Sequence, residues 1–147
     1  MKKIYSQIQP DVLLHLVHRL EDIENEPESD IPQLARINVA PNEEFLQLAS
    51  LRIGEGKTFK PHKHIYKKGE EEVIAQESWV VIRGGVDAIL YDLDDSIVEV
   101  VHLHEGDCSM TFRGGHNYLS TEDNTIVYEY KTGPYRGVKN DKAFIDD

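Results

Sequence analysis

The sequence predicts an all-β protein of the sandwich or barrel class with a short α-helix near the N terminus. Two observations support this prediction. Segments rich in β-branched and aromatic residues follow one another between residues 45 and 130, and turn signals such as Gly84-Gly85 and Gly114-Gly115 separate them at short intervals. Many short strands at such spacing are typical of barrels and double-sheet jelly rolls.

The predicted helix lies at the start of the chain. Pro10-Asp11 is a typical helix opening, and an acidic linker with a proline follows at 24–30. Between them, apolar residues recur at helical spacing: Val12, Leu13, Leu16, Val17, Leu20 and Ile23. His15 and His18 fall within this segment, and we interpret them as surface or boundary residues. We therefore divide one domain into an N-terminal helical segment with its linker, residues 1–30, and a β-barrel with its C-terminal tail, residues 31–147.

The predicted strands include six long apolar or alternating runs, at 45–53, 78–83, 86–93, 97–103, 108–112 and 125–130. In the fifth run Cys108 alternates with Met110 and Phe112, so we expect this cysteine to be a small buried core residue. Because it is the only cysteine, it cannot form an intrachain disulfide or a cysteine-based metal site.

Charge and hydropathy limit the classes of partner. The 147 residues carry a net charge of −11, which disfavours nucleic acid and anionic lipid. No apolar run approaches the roughly 20 residues needed to cross a bilayer, and the first residues are too polar for a signal peptide. We expect a cytoplasmic protein without a nucleic-acid or membrane partner. Seven of the 16 basic residues fall between Arg52 and Arg83, which indicates either solvated strand ends or a basic mouth that admits an anionic small molecule.

The strongest functional feature is the pair His62 and His64. In an extended strand, residues two apart project to the same face, so both imidazoles point into one space. Neutral imidazole is a good ligand for zinc, iron, nickel or copper. His102 and His104 have the same spacing, but they end a hydrophobic strand at a turn and no further ligand pattern accompanies them. We interpret this second pair as an exposed strand edge.

Two more residues complete the predicted metal site. Glu77 stands at the head of an otherwise apolar strand, where a carboxylate is costly unless a cation pairs with it. Gly114-Gly115 precede His116, and these glycines permit the tight turn that delivers this histidine. We therefore predict one divalent metal ion per chain, with Fe, Mn, Ni and Zn not distinguished, on His62, His64, Glu77 and His116.

These spacings resemble the two motifs of the cupin superfamily, Gly-x5-His-x-His with Glu-x6-Gly and Gly-x5-Pro-x-Gly-x2-His. They occur here as Gly56…His62-Lys63-His64, Glu77…Gly84 and Gly106…Gly114-Gly115-His116. Two departures stand out. Twelve residues separate His64 from Glu77 instead of three or four, so we expect an inserted hairpin or loop at 65–76. The second motif has Phe112 in place of proline and is one residue shorter.

The segments 76–84 and 129–135 further resemble small single-domain cupins of the WbuC-like kind, which are found with surface-polysaccharide genes. The resemblance covers roughly residues 45–144. It implies an RmlC-like jelly-roll β-barrel, also described as a double-stranded β-helix, a homodimer, and a metal ion at the barrel mouth.

Four protein ligands would leave two positions of an octahedral ion open, as catalytic sites do. We therefore expect a metal-dependent enzyme acting on a small polar molecule, such as a sugar derivative of surface-polysaccharide metabolism. The alternative is a non-catalytic cupin that binds a metal and a small ligand. Strand alternation and proximity in sequence give the substrate-pocket candidates: Lys60, Tyr66, Trp79, Arg83, Arg113 and Tyr118. Among these, Lys60 or Arg83 would hold a substrate anion, and Tyr66 or Tyr118 would transfer protons.

Overall fold

The computed structural model describes residues 1–67 and 74–146, and strands account for most of its regular structure. The strands are β1 (Lys2–Tyr5), β2 (Leu13–Val17), β3 (Leu34–Asn38), β4 (Leu46–Ile53), β5 (His62–His64), β6 (Glu77–Arg83), β7 (Val86–Tyr91), β8 (Ile97–Leu103), β9 (Cys108–Thr111), β10 (Gly115–Ser120), β11 (Thr125–Thr132) and β12 (Lys142–Phe144). The helices are α1 (Leu20–Glu24) and α2 (Val138–Asp141). No helix of the described residues is long and apolar enough to span a membrane.

Two five-stranded antiparallel sheets make up the body of the molecule. Sheet I has the order β3-β4-β11-β6-β9, and sheet II has the order β12-β5-β10-β7-β8. The strands β3 and β4 form a hairpin in sheet I. From β4 onward, successive strands alternate between the two sheets, except that β7 and β8 form a hairpin in sheet II. This winding is that of a jelly roll, which confirms the predicted fold class.

The hydrophobic core lies between the two sheets. Alternate residues of each strand point inward, so both sheets contribute apolar side chains to one cluster. Its most deeply buried members are Leu51, Ile53, Val81 and Val127 of sheet I and Val86 and Ala88 of sheet II. The six predicted runs correspond to β4, β6, β7, β8, β9 and β11, each bound agreeing within two residues.

The predicted N-terminal helix is wrong over most of its length. Leu13–Val17 is β2, which pairs with β1 in a two-stranded sheet, and the helix is confined to α1 (Leu20–Glu24). A short run of leucine and valine fits either element, and the pairing with β1 decides in favour of a strand. His15 is exposed, as predicted, whereas the imidazole of His18 is only 4% exposed and the prediction of a surface or boundary position is wrong for it.

Residues 20–26 attach this N-terminal region to the outer face of sheet I. Ile23 is fully buried against Ala35 and Ile126, in a cluster separate from the main core. Arg52 adds polar contacts, because its guanidinium donates hydrogen bonds to the carbonyl oxygens of Ile23 at 3.4 Å and Glu26 at 2.6 Å.

The prediction for Cys108 is wrong, since its side chain is exposed. The neighbouring residue Ser109 points inward instead, where its hydroxyl contacts the Tyr118 hydroxyl at 2.8 Å. Met110, two residues on from Cys108, is correspondingly 63% exposed. Alternation was therefore predicted with the right period but the opposite phase, and a shift of one residue moves every side chain of a strand to the other face.

Because Cys108 lies on the outer face of the edge strand β9, its thiol should react with Ellman's reagent in the folded protein within minutes. Absorbance at the thionitrobenzoate band measures the reaction, and the Cys108→Ser variant, which removes the only thiol, provides the blank. Reaction only after addition of denaturant would show that Cys108 is inside and that the phase of β9 described above is incorrect.

Candidate metal centre

Three strands bring the four predicted ligands together. His62 and His64 lie on β5, and the adjacent strand β10 places His116 directly opposite His62. Glu77 begins β6 and reaches the same point from sheet I. One ligand atom from each of the four residues lies within 4.8 Å of all the others, so this group could hold a metal ion.

The contacts within this group are short. The Nε2 atoms of His116 and His62 are 3.1 Å apart. The carboxylate of Glu77 lies between the other rings, with Oε2 3.0 Å from His64 Nε2 and Oε1 3.3 Å from His116 Nε2. Glu77, His64 and His116 are all buried, and His62 is half-buried. Glu77, whose separation from His64 departs from the sequence motif, thus points at the three imidazoles.

The opposite ring nitrogens have partners of their own. Nδ1 of His62 contacts the carbonyl oxygen of Lys60 at 3.1 Å, and Nδ1 of His64 contacts the Asp141 carbonyl oxygen at 3.3 Å and its Oδ2 at 3.4 Å. Nδ1 of His116 contacts Thr111 Oγ1 at 2.8 Å. Such contacts fix the orientation of ligand imidazoles in metal sites.

The donor set fits a cation. A carbonyl oxygen only accepts, so Nδ1 of His62 and of His64 carries a hydrogen. Nε2 of His62 presents a lone pair to the centre, and Nε2 of His64 does so once it has lost its proton. Once His64 is neutral, its lone pair, that of His62 and the buried carboxylate of Glu77 lie within 4.8 Å of one another and repel unless a cation lies among them. A divalent ion with three histidines and one carboxylate satisfies this requirement.

The ionisation of these groups reflects the same crowding. Burial and the positive charge of Lys142 lower the pKa of His62 to about 3. Burial also acts against the charged form of His64, but hydrogen bonds with Asp141 and Glu77 outweigh it and raise the pKa of His64 to about 9. For Glu77, burial is outweighed by hydrogen bonding and charge from His116 and His64, so the pKa of this carboxyl lies well below its usual value.

Gly114 makes the turn that delivers His116. Its φ of +78° lies in the left-handed region, and a Cβ at this position would collide with the carbonyl oxygen of Tyr91. The chain therefore crosses from β9 of sheet I to β10 of sheet II within three residues. The glycine-delivered histidine predicted from sequence has this physical basis.

A cavity of about 380 Å³ adjoins the cluster, and His62 and Glu77 lie in its wall. Part of the wall is aromatic: Trp79 stacks on Tyr118 with ring centroids 3.9 Å apart, and Phe59 packs edge-on against Trp79. The indole of Trp79 donates hydrogen bonds to Glu77 Oε1 at 3.0 Å and Glu129 Oε2 at 3.2 Å. Trp79 of the cavity wall is thereby hydrogen-bonded directly to the candidate ligand Glu77.

Three of the six substrate-pocket candidates, Lys60, Trp79 and Tyr118, lie in this wall. Tyr118 is buried, its hydroxyl contacts Ser109, and burial together with the charge of Glu77 raises the pKa of its phenol. Tyr118 therefore stays protonated at neutral pH and forms part of the wall rather than acting as a base.

The other three candidates lie elsewhere. Arg83 is exposed and forms an ion pair with Glu24 at 2.6 Å, because the strand β6 carries it away from the end that holds Glu77. Tyr66 is 54% exposed, and the guanidinium of Arg113 lies 5.9 Å from its ring centroid. Tyr66 pairs with Ile74 in an antiparallel bridge, as expected for a hairpin or loop at 65–76; its middle, residues 68–73, lies outside the described residues.

Several cavity residues were missed in the sequence. They belong to β3, β11 and the C-terminal strand, and the ones with charged side chains are Arg36, Glu129, Lys131 and Lys142. Asp141, which contacts His64, was missed as well. The signal that was available lies in β11, where the alternation of Val127, Glu129 and Lys131 puts charged residues on the inward face. The three-residue strand β12 has no comparable pattern.

The second histidine pair behaves as predicted. His102 and His104 are exposed on the edge strand β8 and the turn after it, and each lies next to a carboxylate, Asp87 at 2.7 Å and Asp107 at 3.5 Å. Among the residues that the structure describes, the group of His62, His64, Glu77 and His116 is the one arranged to hold a metal ion.

Solved structures of the same fold are found although no family model and no curated protein matches the sequence. An uncharacterised conserved protein with a double-stranded β-helix domain from Klebsiella pneumoniae is 14% identical, with a TM-score of 0.63 over 91% of this chain and 100% of that one. A cupin superfamily protein from Desulfitobacterium hafniense is 9% identical, with a TM-score of 0.52 over 72% of this chain and 83% of that one. Salicylate 1,2-dioxygenase from Pseudoaminobacter salicylatoxidans, with gentisate, is 16% identical, with a TM-score of 0.55 over 78% of this chain and 29% of that one. The fold is therefore the double-stranded β-helix of cupins.

Metal binding should release a proton. With a pKa of about 9, His64 is protonated at pH 7, and a metal ion must displace that proton from Nε2. We expect release of about one proton per ion bound at pH 7, and an apparent affinity that rises with pH until about 9. Isothermal titration calorimetry in buffers of different ionisation enthalpy measures the release. An affinity independent of pH between 6 and 8 would contradict this account of His64.

Proposed function

We propose that this protein is a metal-dependent enzyme of the cupin fold. One divalent ion would be held by His62, His64, Glu77 and His116, and a small polar substrate would occupy the adjacent cavity. The observation that supports this is the direct adjacency of the two sites: His62 and Glu77 belong both to the ligand cluster and to the wall of the 380 Å³ cavity. A cavity of this size is at the lower end of those that take small molecules.

A divalent ion at this point supplies a Lewis acid, or a bound water of lowered pKa, to whatever molecule fills the cavity. The protein's own residues would do the rest. The stacked pair Trp79 and Tyr118 gives a flat apolar surface for the substrate. The indole of Trp79, held between Glu77 and Glu129, keeps the ligand carboxylate in place.

Glu129 holds the side chains of the cavity wall beside the candidate metal centre. It is an acidic side chain of the cavity wall that does not belong to the ligand cluster, and Arg36 holds its Oε1 at 2.8 Å. Both oxygens of this carboxylate are engaged, because the indole N–H of Trp79 donates to Oε2 at 3.2 Å. The two residues that the sequence predicts for proton transfer differ in position: Tyr118 lies in the cavity wall, and Tyr66 is 54% exposed.

The finer assignment rests on the sequence resemblance. We place the protein with the WbuC-like cupins, in the cytoplasm, and propose a sugar derivative of surface-polysaccharide metabolism as the substrate. Residues 1–30 would be an attachment to the single barrel domain of residues 31–147. A protein of the same fold, salicylate 1,2-dioxygenase, is an enzyme of small molecules, which is consistent with catalysis in such a barrel.

The metal site is tested by the metal content of variants. Wild type should bind one divalent ion per chain, the His62→Ala/His64→Ala double variant should bind none, and Glu77→Gln should bind it more weakly. The matched control is His102→Ala/His104→Ala, which removes a pair of the same spacing from an exposed edge and should keep one ion per chain. Mass spectrometry of the dialysed proteins gives the stoichiometry, and circular dichroism checks folding. Full metal content in the first double variant would reject the assignment.

The same preparation separates the enzyme from the non-catalytic alternative. An enzyme must keep a coordination position open for its substrate, whereas a storage or structural barrel would saturate the ion with protein ligands. Added azide should therefore change the visible absorption spectrum of the cobalt-loaded protein. A spectrum unchanged at saturating azide would favour the non-catalytic alternative.

We also propose that the protein is a homodimer, as the WbuC-like resemblance implies. The edge strand β8 presents exposed apolar side chains, including Ile97, Val98 and Val100, and an uncovered edge of this kind favours pairing with another chain. Light scattering at micromolar concentration should give twice the 16.8 kDa mass of one chain. A mass of one chain would reject the dimer without affecting the metal site.

A further inference from the structure

The charged side chains of the cavity do not balance. Among the described residues that line it, four are basic, Arg36, Lys60, Lys131 and Lys142, and two are acidic, Glu77 and Glu129. The protein as a whole has the opposite bias, with a net charge of −11. A basic interior in an acidic protein indicates a local requirement for positive charge.

Two of the four basic residues are neutralised by carboxylates. Arg36 is paired with Glu129 at 2.8 Å, and Lys131 with Asp141 at 3.2 Å. The second acidic residue of the cavity, Glu77, is engaged by the imidazoles of His64 and His116. Within the described part of the chain, this leaves Lys60 and Lys142 without a carboxylate in ion-pair contact.

The register of β12 aims Lys142 at the metal centre. In the antiparallel pairing of β12 with β5, Lys142 lies opposite His64 and Phe144 opposite His62. Residues directly opposite each other project to the same face of a sheet, so both side chains share the face of the two histidines. Lys60 completes the arrangement at the exposed mouth, where its Nζ lies 4.7 Å from the centre of the Phe144 ring.

Lys142 is also partly removed from water. It is half-buried and lies opposite His64 in the pairing of β12 with β5. The carboxylates of Glu77, Glu129 and Asp141 act on its ammonium group without an ion-pair contact. A bound anion in direct contact would offset the cost of its burial. The neighbouring apolar walls, including Leu48, Leu51 and Phe59, suit the carbon skeleton of a small organic molecule.

We propose that the cavity selects a small anionic substrate, bearing a carboxylate or a phosphate group, which accepts hydrogen bonds from Lys142 and Lys60 while the remainder of the molecule faces the metal centre. This inference rests on the proposed function and names the substrate class of that same site. The two lysines are the specificity-determining residues, and the anionic group is the feature they recognise.

The test uses Trp79, the only tryptophan of the chain and a residue of the cavity wall, as a fluorescent reporter. Metal-loaded protein is titrated at constant ionic strength with lactate, with its neutral isostere lactamide, and with inorganic phosphate. Lactate or phosphate should change the Trp79 emission saturably, and lactamide should not. The stronger of the two anions identifies the group that the site prefers.

The variants Lys142→Gln and Lys60→Gln should each weaken anion binding by roughly tenfold or more, since each removes a hydrogen bond to a charged group. The matched control is Lys139→Gln, an exposed lysine three residues away on α2, which should bind like wild type. Equal binding of lactate and lactamide, no saturable response to either anion, or equal weakening in the control would each overturn the proposal.

Repeating the titration on protein freed of metal by chelation and dialysis separates the two proposals. The metal-dependent function would be rejected, and the anion site retained, by two results together: wild type binds no stoichiometric metal, and its anion binding still depends on Lys142. One bound metal ion per chain without anion selectivity would reject the anion site alone.

Discussion

The buried carboxylate of Glu77 is the constraint around which the site is organised. A charge in this position requires compensation from every side, and the surrounding residues provide it: imidazoles from β5 and β10 at 3.0 and 3.3 Å, and the indole N–H of Trp79 at 3.0 Å. Because Glu77 comes from sheet I and the histidines from sheet II, this cluster forms only when the two sheets are packed together. The fold and the candidate metal centre therefore depend on the same closure of the sandwich.

The C-terminal segment contributes more to the site than its length suggests. Asp141 contacts Nδ1 of His64 and pairs with Lys131 of β11, so it connects an imidazole of sheet II to a strand of sheet I. Burial would favour its neutral form, but the contacts with His64 and Lys131 lower the pKa of Asp141 to about 2. The next residue, Lys142, then enters the cavity. Asp141 thus orients the candidate ligand His64, and the adjacent Lys142 supplies positive charge for a candidate substrate.

The sequence allowed the fold class and the metal cluster to be predicted because both leave local signatures, alternation in six strands and the spacing of His62, His64 and His116. What it did not reveal depends on long-range pairing. The phase of β9 is set by its partner β6, which turns Ser109 inward and Cys108 outward. The strand β2 exists because β1 pairs with it. Likewise Arg83 shares a strand with Glu77 but lies at its other end, and only the geometry of the sheet shows that it is outside the cavity.

The long insert between His64 and Glu77 is compatible with a joint site for a topological reason. These two residues belong to different sheets, so the chain between them crosses from sheet II to sheet I and does not set their separation. The position of His64 is fixed by the pairing of β5 with β10 and β12, and that of Glu77 by the pairing of β6 with β11 and β9. A connection of any sufficient length can join two strands that are held independently, since each doubling of a loop costs only about 0.6 kcal/mol in closure entropy. The spacing in a linear motif is therefore a weaker guide to this site than the strands on which its residues lie.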